Sequence, residues 1–130
     1  MVRLPAVIIF SCMLMSVSLF SQDNPSSEII DVFKKGNPAE LGKYFSEMVD
    51  LSIPGFKELY SKTQASRIVK DFFSNKPVSS VSVNREGNSP DGSKYTMGSI
   101  TAGGKKYSLY FLLRKSKGDY RICQLHIQSE

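Results

Sequence analysis

Residues 95–127 read YTMGSITAGGKKYSLYFLLRKSKGDYRICQLHI, and this stretch decides the fold class. Its apolar residues recur at every second position, which is the period of a β-strand. Gly103-Gly104 and Lys117-Gly118-Asp119 interrupt the pattern with residues typical of hairpin turns. The period of two already begins at Val78, before a polar loop over residues 86–93. The sequence therefore predicts four consecutive strands that pair antiparallel as a meander.

Two short helices are predicted at the start of the domain. Asn24-Pro25 and Asn37-Pro38 each place a capping residue before a proline, an arrangement typical of helix N-termini. Gly36 ends the first helix, and the second is expected to carry its apolar face as far as Met48.

A strand and a longer helix are predicted between these short helices and the meander. Residues 49–53 alternate as a strand, and residues 56–60 are expected to form a connection. Ser61 and Gln64 predict a capping box at the start of the long helix. The predicted order is α-α-β-α-β-β-β-β, an α+β fold with N-terminal helices packed in a curved antiparallel sheet.

The last predicted strand carries apolar residues in both phases of its alternation. Tyr120 and Ile122 are expected to lie on the face opposite Leu125, whereas Cys123 is expected to share the core face with Leu125. When both faces of a sheet carry apolar groups, the second face is normally buried against another element or molecule. Three groups could bury it here: a partner molecule, the N-terminal segment of the chain, or a second copy of the protein.

The first 21 residues have the features of an export signal. Arg3 supplies one positive charge, residues 4–20 are almost entirely apolar, and the small residue Ser21 follows. The apolar stretch is at or below the ~20 residues that a membrane span needs. We favour cleavage after Ser21 over lipidation at Cys12, because the apolar run before Cys12 is short and continues past it.

The predicted organisation is therefore a signal peptide at residues 1–21 and a single α+β domain at residues 22–130. The mature protein is expected in the periplasm or outside the cell, with no membrane span left after cleavage. Cys12 is removed with the signal, so Cys123 is left without an intrachain disulfide partner.

Basic charge is concentrated in the second half of the predicted domain. Residues 22–60 hold 4 basic and 7 acidic side chains, whereas residues 61–130 hold 12 basic and 5 acidic ones. This balance suits anionic glycans, lipid head groups or nucleic acid, and equally a solvated sheet surface. Export argues against nucleic acid, as does strand geometry, since Lys105-Lys106 and Arg114-Lys115 lie at opposite ends of one strand.

No catalytic, cofactor or metal site is predicted from the residue types. His126 is the single histidine and has no acidic partner at a recognisable spacing. Cys123 is predicted to behave as a small apolar core residue rather than as a nucleophile. A zinc site would need a carboxylate cluster in addition to these two residues. Asp50 and Asp71 are expected to be exposed to solvent rather than turned inward.

Several short motifs across the predicted domain resemble those of a known family. They are Phe33-Lys34-Lys35-Gly36-Asn37, Glu40-Leu41, Tyr44-Phe45, Tyr60-Ser61-Lys62, Gln64-Ala65, Asp71-Phe72-Phe73, Tyr110-Phe111-Leu112-Leu113 and Gln124-Leu125. With the order of the elements, they make the chain similar to domain-of-unknown-function family 4783, a family of small exported Bacteroidota proteins. The order of the elements also resembles that of the nuclear transport factor 2-like (cystatin-like) superfamily. The resemblance implies a curved sheet wrapped around a helix as a cone, and it implies no mechanism.

The leading functional hypothesis is a non-enzymatic module that binds a small molecule or a protein. The cone cavity and the exposed sheet face are the two surfaces considered, and a homodimer through the sheet face is one form of the hypothesis. The candidate residues are Tyr95, Tyr107, Tyr110 and His126. The alternative is a small cone-type enzyme, a hydrolase, isomerase or dehydratase, with His126 or an inward carboxylate as its base. A third possibility is a cystatin-like inhibitor whose hairpin loops enter a protease cleft.

Overall fold

A computed structural model describes residues 24–130 of the chain. The predicted signal peptide, its cleavage site and Cys12 lie outside the described residues. The elements in chain order are α1 (Pro25–Lys34), a 3₁₀-helix (Pro38–Tyr44), β1 (Phe45–Ile53), β2 (Phe56–Ser61), α2 (Lys62–Phe73), β3 (Val78–Asn88), β4 (Lys94–Ala102), β5 (Lys105–Ser116) and β6 (Asp119–Ser129). The strands form one curved, unclosed sheet in the order β2-β1-β6-β5-β4-β3.

The four-strand meander is confirmed, because β3, β4, β5 and β6 pair with their chain neighbours and every pair is antiparallel. Both tight turns contain two successive residues with positive φ. Gly103 and Gly104 have φ of 59° and 77°, and Lys117 and Gly118 have φ of 52° and 88°. Two such residues form a turn whose twist matches that of the flanking strands.

The second predicted helix is shorter than expected. It is a 3₁₀-helix that ends at Tyr44, and Phe45 already begins β1. Asn37 forms no side-chain capping bond at its start. Phe45 is only 1% exposed, and its position pairs with Ile122 of β6. Burial of Phe45 in the sheet therefore outweighs the helical pattern of the residues that follow it.

Residues Phe56–Ser61 form a strand where the sequence predicts a connection. This strand, β2, pairs antiparallel with β1 across Pro54 and Gly55, and Gly55 has a φ of 92°. It lies at the edge of the sheet and is mostly exposed, so it lacks the buried alternation that identifies a strand in sequence. The sheet also contains one parallel pair, β1 with β6, in place of a wholly antiparallel arrangement.

The helices cover one face of the sheet, and the core lies between them. Asn24 caps α1 by accepting a hydrogen bond of 3.1 Å from the Ser26 amide. The predicted capping box of α2 is present, since the Ser61 hydroxyl accepts from the Gln64 amide at 3.2 Å. The largest fully buried side chains are Phe33, Phe45, Phe111, Ile29, Leu41, Leu51, Ile53, Ile100, Leu109, Leu113, Ile122 and Leu125.

A β-bulge reverses two of the predicted faces in β6. Leu112 pairs with Gln124 but Leu113 pairs with Ile122, so Cys123 is an extra residue on its strand. Ile122 is fully buried in the same core as Leu125, whereas Cys123 is only partly buried. The prediction that Cys123 shares the core face was wrong. So was the prediction that Tyr120 and Ile122 lie opposite Leu125, because both pack into or against the core.

The sheet face opposite the helices is called the outer face below. It consists of the residues that alternate with the core residues and pair with one another across the strands. They include Met48, Asp50 and Ser52 of β1, Leu59 of β2, Gln124, His126 and Gln128 of β6, Ser108, Tyr110 and Leu112 of β5, and Tyr95, Met97 and Ser99 of β4.

Candidate functional site

The interior between the helices and the sheet is filled by side chains. Phe33, Phe45 and Phe111 are each at most 1% exposed and belong to one continuous cluster. Phe72 extends this cluster through edge-to-face contacts with Phe73 and Tyr107, at ring-centroid distances of 4.9 and 5.6 Å. The space in which a cone-type protein would hold a ligand is therefore occupied by the core. A binding site in this domain would therefore lie on its surface.

The four candidate residues separate into two groups. Tyr107 is 3% exposed and packs in the core against Phe72, so it does not share a site with the others. Tyr95, Tyr110 and His126 all lie on the outer face, where Tyr110 and His126 occupy directly paired positions. The outer face, rather than the cone interior, brings the remaining candidates together.

His126 has an acidic neighbour that the sequence analysis did not find. Its Nε2 atom lies 3.6 Å from Oδ2 of Asp50, and its ring centroid lies 5.6 Å from that of Tyr110. Asp50 reaches this position because β1 runs parallel to β6, with Ser52 paired to His126. Parallel pairing of distant strands leaves no sequence spacing that would indicate the contact.

The His126 imidazole borders a shallow depression of 310 Å³ on the outer face. Met97, Tyr110 and Gln128 are among its lining residues. The Nε2 atom of His126 is itself buried and has no hydrogen-bond partner among the described residues. Buried polar atoms are nearly always paired in folded proteins, and the nearest acceptor here is Asp50 Oδ2, just beyond hydrogen-bond distance.

Cys123 and Tyr110 are kept in their protonated forms by their surroundings. Burial is the main cause that raises the pKa of the Cys123 thiol, and its Sγ atom donates to the Leu112 carbonyl oxygen at 3.5 Å. Burial also raises the pKa of Tyr110, with smaller contributions from Cys123 and Tyr95. A thiol with a raised pKa is a poor nucleophile at neutral pH, so Cys123 does not have the properties of a reactive cysteine.

Exposed apolar side chains extend across the outer face. Met48, Leu59 and Met97 are 48%, 62% and 43% exposed, on β1, β2 and β4 respectively. Gln124 and Gln128 lie between these apolar residues on β6 and carry no formal charge. Asp50, Arg85 and Arg114 add charges around these residues, since Arg85 pairs with Met97 and Arg114 follows Leu112 by two positions on β5. Aromatic and Met side chains at the centre with charges around them are typical of a protein interface.

Exposed carboxylates, metal sites and membrane-spanning helices are three further features of the described residues. Asp71 is exposed and Asp50 is half exposed, so both face solvent as predicted. Among residues 24–130, no group of three or more His, Cys, Asp or Glu side chains is placed to hold a metal ion. No helix in this part of the chain has the length and apolarity needed to cross a membrane.

The fold is that of a nuclear transport factor 2-like protein, with helices held against one face of a curved, unclosed sheet. An NTF2-like protein of unknown function from Cytophaga hutchinsonii superimposes with a TM-score of 0.55 at 16% identity. The match covers 81% of this chain and 86% of that one. The predicted cone architecture is thus confirmed.

Within that class, the chain belongs to the family described as Domain of unknown function (DUF4783), whose model matches residues 26–128. A crystallised DUF4783 family protein from Bacteroides uniformis is 32% identical, with a TM-score of 0.75 over 82% of this chain and 98% of that one. Another, from Bacteroides fragilis, is 30% identical, with a TM-score of 0.71 over 78% and 95%. No curated protein matches the chain. The family resemblance inferred from the sequence is confirmed.

Proposed function

We propose that this protein is an exported, non-enzymatic interaction module that binds a protein partner through the outer face of its sheet. The observation that carries the proposal is the set of exposed apolar residues Met48, Leu59 and Met97, spread over a face that no helix of residues 24–130 covers. Exposed large apolar side chains on one face of a small domain favour a binding role. Export is supported by the apolar N-terminal segment, residues 4–20.

A second copy of the chain is the partner that suits this surface. A twofold-related contact brings a patch onto its own copy, so a charged patch would repel itself. The centre of the outer face contains Met97, Tyr110, Leu112 and Gln124, which are all uncharged. Arg85 and Asp50 border this centre, so two copies avoid like-charge repulsion where Arg85 of one copy faces Asp50 of the other. The tyrosine and methionine side chains supply the apolar contact area.

The experiment is a measurement of molar mass by sedimentation equilibrium across a concentration series of the purified protein. Met97→Lys should shift the association to at least tenfold higher concentration. Val83→Lys is the matched control, because Val83 is 42% exposed, close to the 43% of Met97, but pairs with Gly98 on the helix side of β3. A wild-type protein that stays monomeric at millimolar concentration would rule out the homodimer. Equal weakening by both variants would argue against the outer face as the contact.

A small enzyme is the second candidate, because His126 and Asp50 lie 3.6 Å apart beside a depression that also contains Tyr110. In such an enzyme Asp50 would orient the imidazole and His126 would act as the general base. The first test is hydrolysis of p-nitrophenyl acetate by the wild-type protein and by His126→Gln. Equal rates for the two proteins would exclude His126 as a base in this reaction.

A further inference from the structure

A second depression lies at one end of the sheet and shares no lining residue with the His126 depression. It has a volume of 460 Å³ and is bordered by the start of α1, the end of β3 and the starts of β4 and β6. We call it the mouth depression. Its lining residues are Asn24, Pro25, Ser26, Glu86, Gly87, Asn88, Lys94, Tyr95 and Tyr120. Its volume is within the range of small-molecule sites.

Lys94 carries an uncompensated positive charge into this depression. Its Nζ atom donates to Oδ1 of Asn88 at 3.1 Å, and among residues 24–130 it has no carboxylate oxygen within salt-bridge distance. It lies 5.5 Å from the centroid of the Tyr120 ring, and Lys115 lies 5.9 Å from the same centroid. Two ammonium groups thus converge on one aromatic ring, which favours an anionic group there.

The remaining lining groups suit a ligand rich in hydroxyls. Asn24, Glu86 and Asn88 provide amide and carboxylate groups that hydrogen-bond to hydroxyls, and Tyr95 and Tyr120 provide aromatic rings. The Tyr95 ring packs directly over Gly87, and a side chain at position 87 would push the ring aside. Polar side chains beside exposed aromatic rings fit the alternating polar and apolar surface of a sugar ring.

A buried hydroxyl without a hydrogen-bond partner lies close in the sheet to two residues that line the mouth depression. Thr96 is fully buried, and its Oγ1 atom has no hydrogen-bond partner among the described residues. It follows Lys94 by two positions on β4 and therefore shares its face, and it pairs across the strands with Glu86. Buried hydroxyls are nearly always hydrogen-bonded in folded proteins, so the unpaired Thr96 hydroxyl marks this end of the sheet as incompletely satisfied.

The geometry argues against a simple phosphate site. No arginine is among the lining residues, so no guanidinium borders the depression to bind phosphate bidentately. The start of α1 is capped by the side chain of Asn24, and Pro25 has no N–H to donate. Glu86 would repel a dianion. A single carboxylate attached to a hydroxylated ring meets both the Lys94 charge and the polar groups around it.

We propose that the mouth depression binds an acidic saccharide, with its carboxylate on Lys94 and its hydroxyls on Asn24, Glu86 and Asn88. The aromatic ring of Tyr120 lies beside the bound sugar ring. Tyr95 is shared with the outer face, but Lys94 lies on the opposite phase of β4, so this proposal does not depend on the interaction function proposed above.

The test is a titration of the ¹⁵N-labelled protein with glucuronate and, in parallel, with glucose, which lacks only the carboxylate charge. Glucuronate should shift the amide resonances of Gly87, Asn88 and Lys94 with a millimolar dissociation constant, and glucose should bind at least tenfold more weakly. Lys94→Met, which keeps a side chain of similar length, should weaken glucuronate binding at least tenfold, since hydrogen bonds to charged groups contribute about 1.5–3 kcal/mol. Lys106→Met is the control, because Lys106 pairs with Glu130 at 3.6 Å outside the mouth depression.

Three results would overturn the proposal. Equal affinity for glucose and glucuronate would show that Lys94 does not bind the carboxylate. Inorganic phosphate binding as tightly as glucuronate would reduce the site to a simple anion site. Absence of shifts at Gly87, Asn88 and Lys94 would place binding elsewhere. Asn88→Ala serves as a second variant if Lys94→Met loses its dispersed spectrum, and it should also weaken glucuronate binding.

Discussion

Replacing Gly98 by alanine tests how closely β3 and β4 approach each other at the bend of the sheet. Gly98 pairs with Val83 on one side and with Leu109 on the other, next to a register shift between Val83 and Arg85. A Cβ atom at position 98 would overlap the carbonyl oxygen of Ser82, which belongs to the main chain. The oxygen cannot rotate away as a side chain could, so the two strands would have to separate.

We expect Gly98→Ala to lower the free energy of unfolding by about 3 kcal/mol, the upper part of the range for overpacked cores. At about 4–8 °C per kcal/mol for a domain near this size, the melting temperature should fall by roughly 12–24 °C. The assay is urea unfolding followed by circular dichroism, with m-values compared to confirm that both proteins unfold in the same way.

Gly87→Ala is the matched control for this experiment. A Cβ atom at position 87 would meet the end of the Tyr95 ring, which can swing towards solvent. Both variants lose the same conformational freedom of glycine in the unfolded chain, so that effect cancels between them. Gly87→Ala should lower the free energy of unfolding by about 1 kcal/mol or less. If the two variants were equally stable, or if Gly98→Ala stayed within 0.5 kcal/mol of the wild type, the close approach at Gly98 would be refuted.

Three further predictions follow from local features. Ser61→Ala should destabilise the protein by about 1 kcal/mol in urea unfolding, because it removes the cap that binds the Gln64 amide; an unchanged midpoint would show that the cap contributes nothing. Lys117→Asn should raise the free energy of unfolding by about 1 kcal/mol, because Lys117 has a φ of 52° and asparagine tolerates this conformation better; a fall would contradict the turn assignment. Burial raises the pKa values of Cys123 and Tyr110 in the folded protein. The protonated Cys123 and Tyr110 therefore stabilise the folded protein most at pH values below their unfolded-state pKa values, about 8.5 and 10. This stabilisation is lost as the pH rises through the higher folded-state pKa values. Unfolding free energy should fall above about pH 8.5, and Cys123→Ala should flatten the first part of that fall.

The parts of the fold that depend on local chemistry could be predicted from the sequence. The Ser61 capping box and the turns at Gly103-Gly104 and Lys117-Gly118 are each encoded within a few residues. The antiparallel meander follows from those turns, because a tight hairpin forces its two strands to pair. The edge strand β2 could not be predicted, since an exposed strand carries no buried alternation.

The errors in the candidate site arise from two non-local features. The bulge at Cys123 moves Ile122 into the core, although a change of apolar phase between Ile122 and Leu125 within one strand is the sequence signal of such a bulge. The parallel pairing of β1 with β6 brings Asp50 to His126 across more than seventy residues of chain. No spacing rule connects positions so far apart, so the contact could be found only in three dimensions.

The positions of the unsatisfied polar atoms support the two proposed surfaces independently of their shape. Among the described residues, the buried side-chain atoms without a hydrogen-bond partner are Thr96 Oγ1 and His126 Nε2. Thr96 pairs across the strands with Glu86, which lines the mouth depression, and His126 borders the depression on the outer face. Folded proteins pair the great majority of such atoms, because each unpaired one is unfavourable. For His126 Nε2 the nearest acceptor is Asp50 Oδ2 at 3.6 Å, so a small movement of the Asp50 side chain or a group entering the depression would pair it.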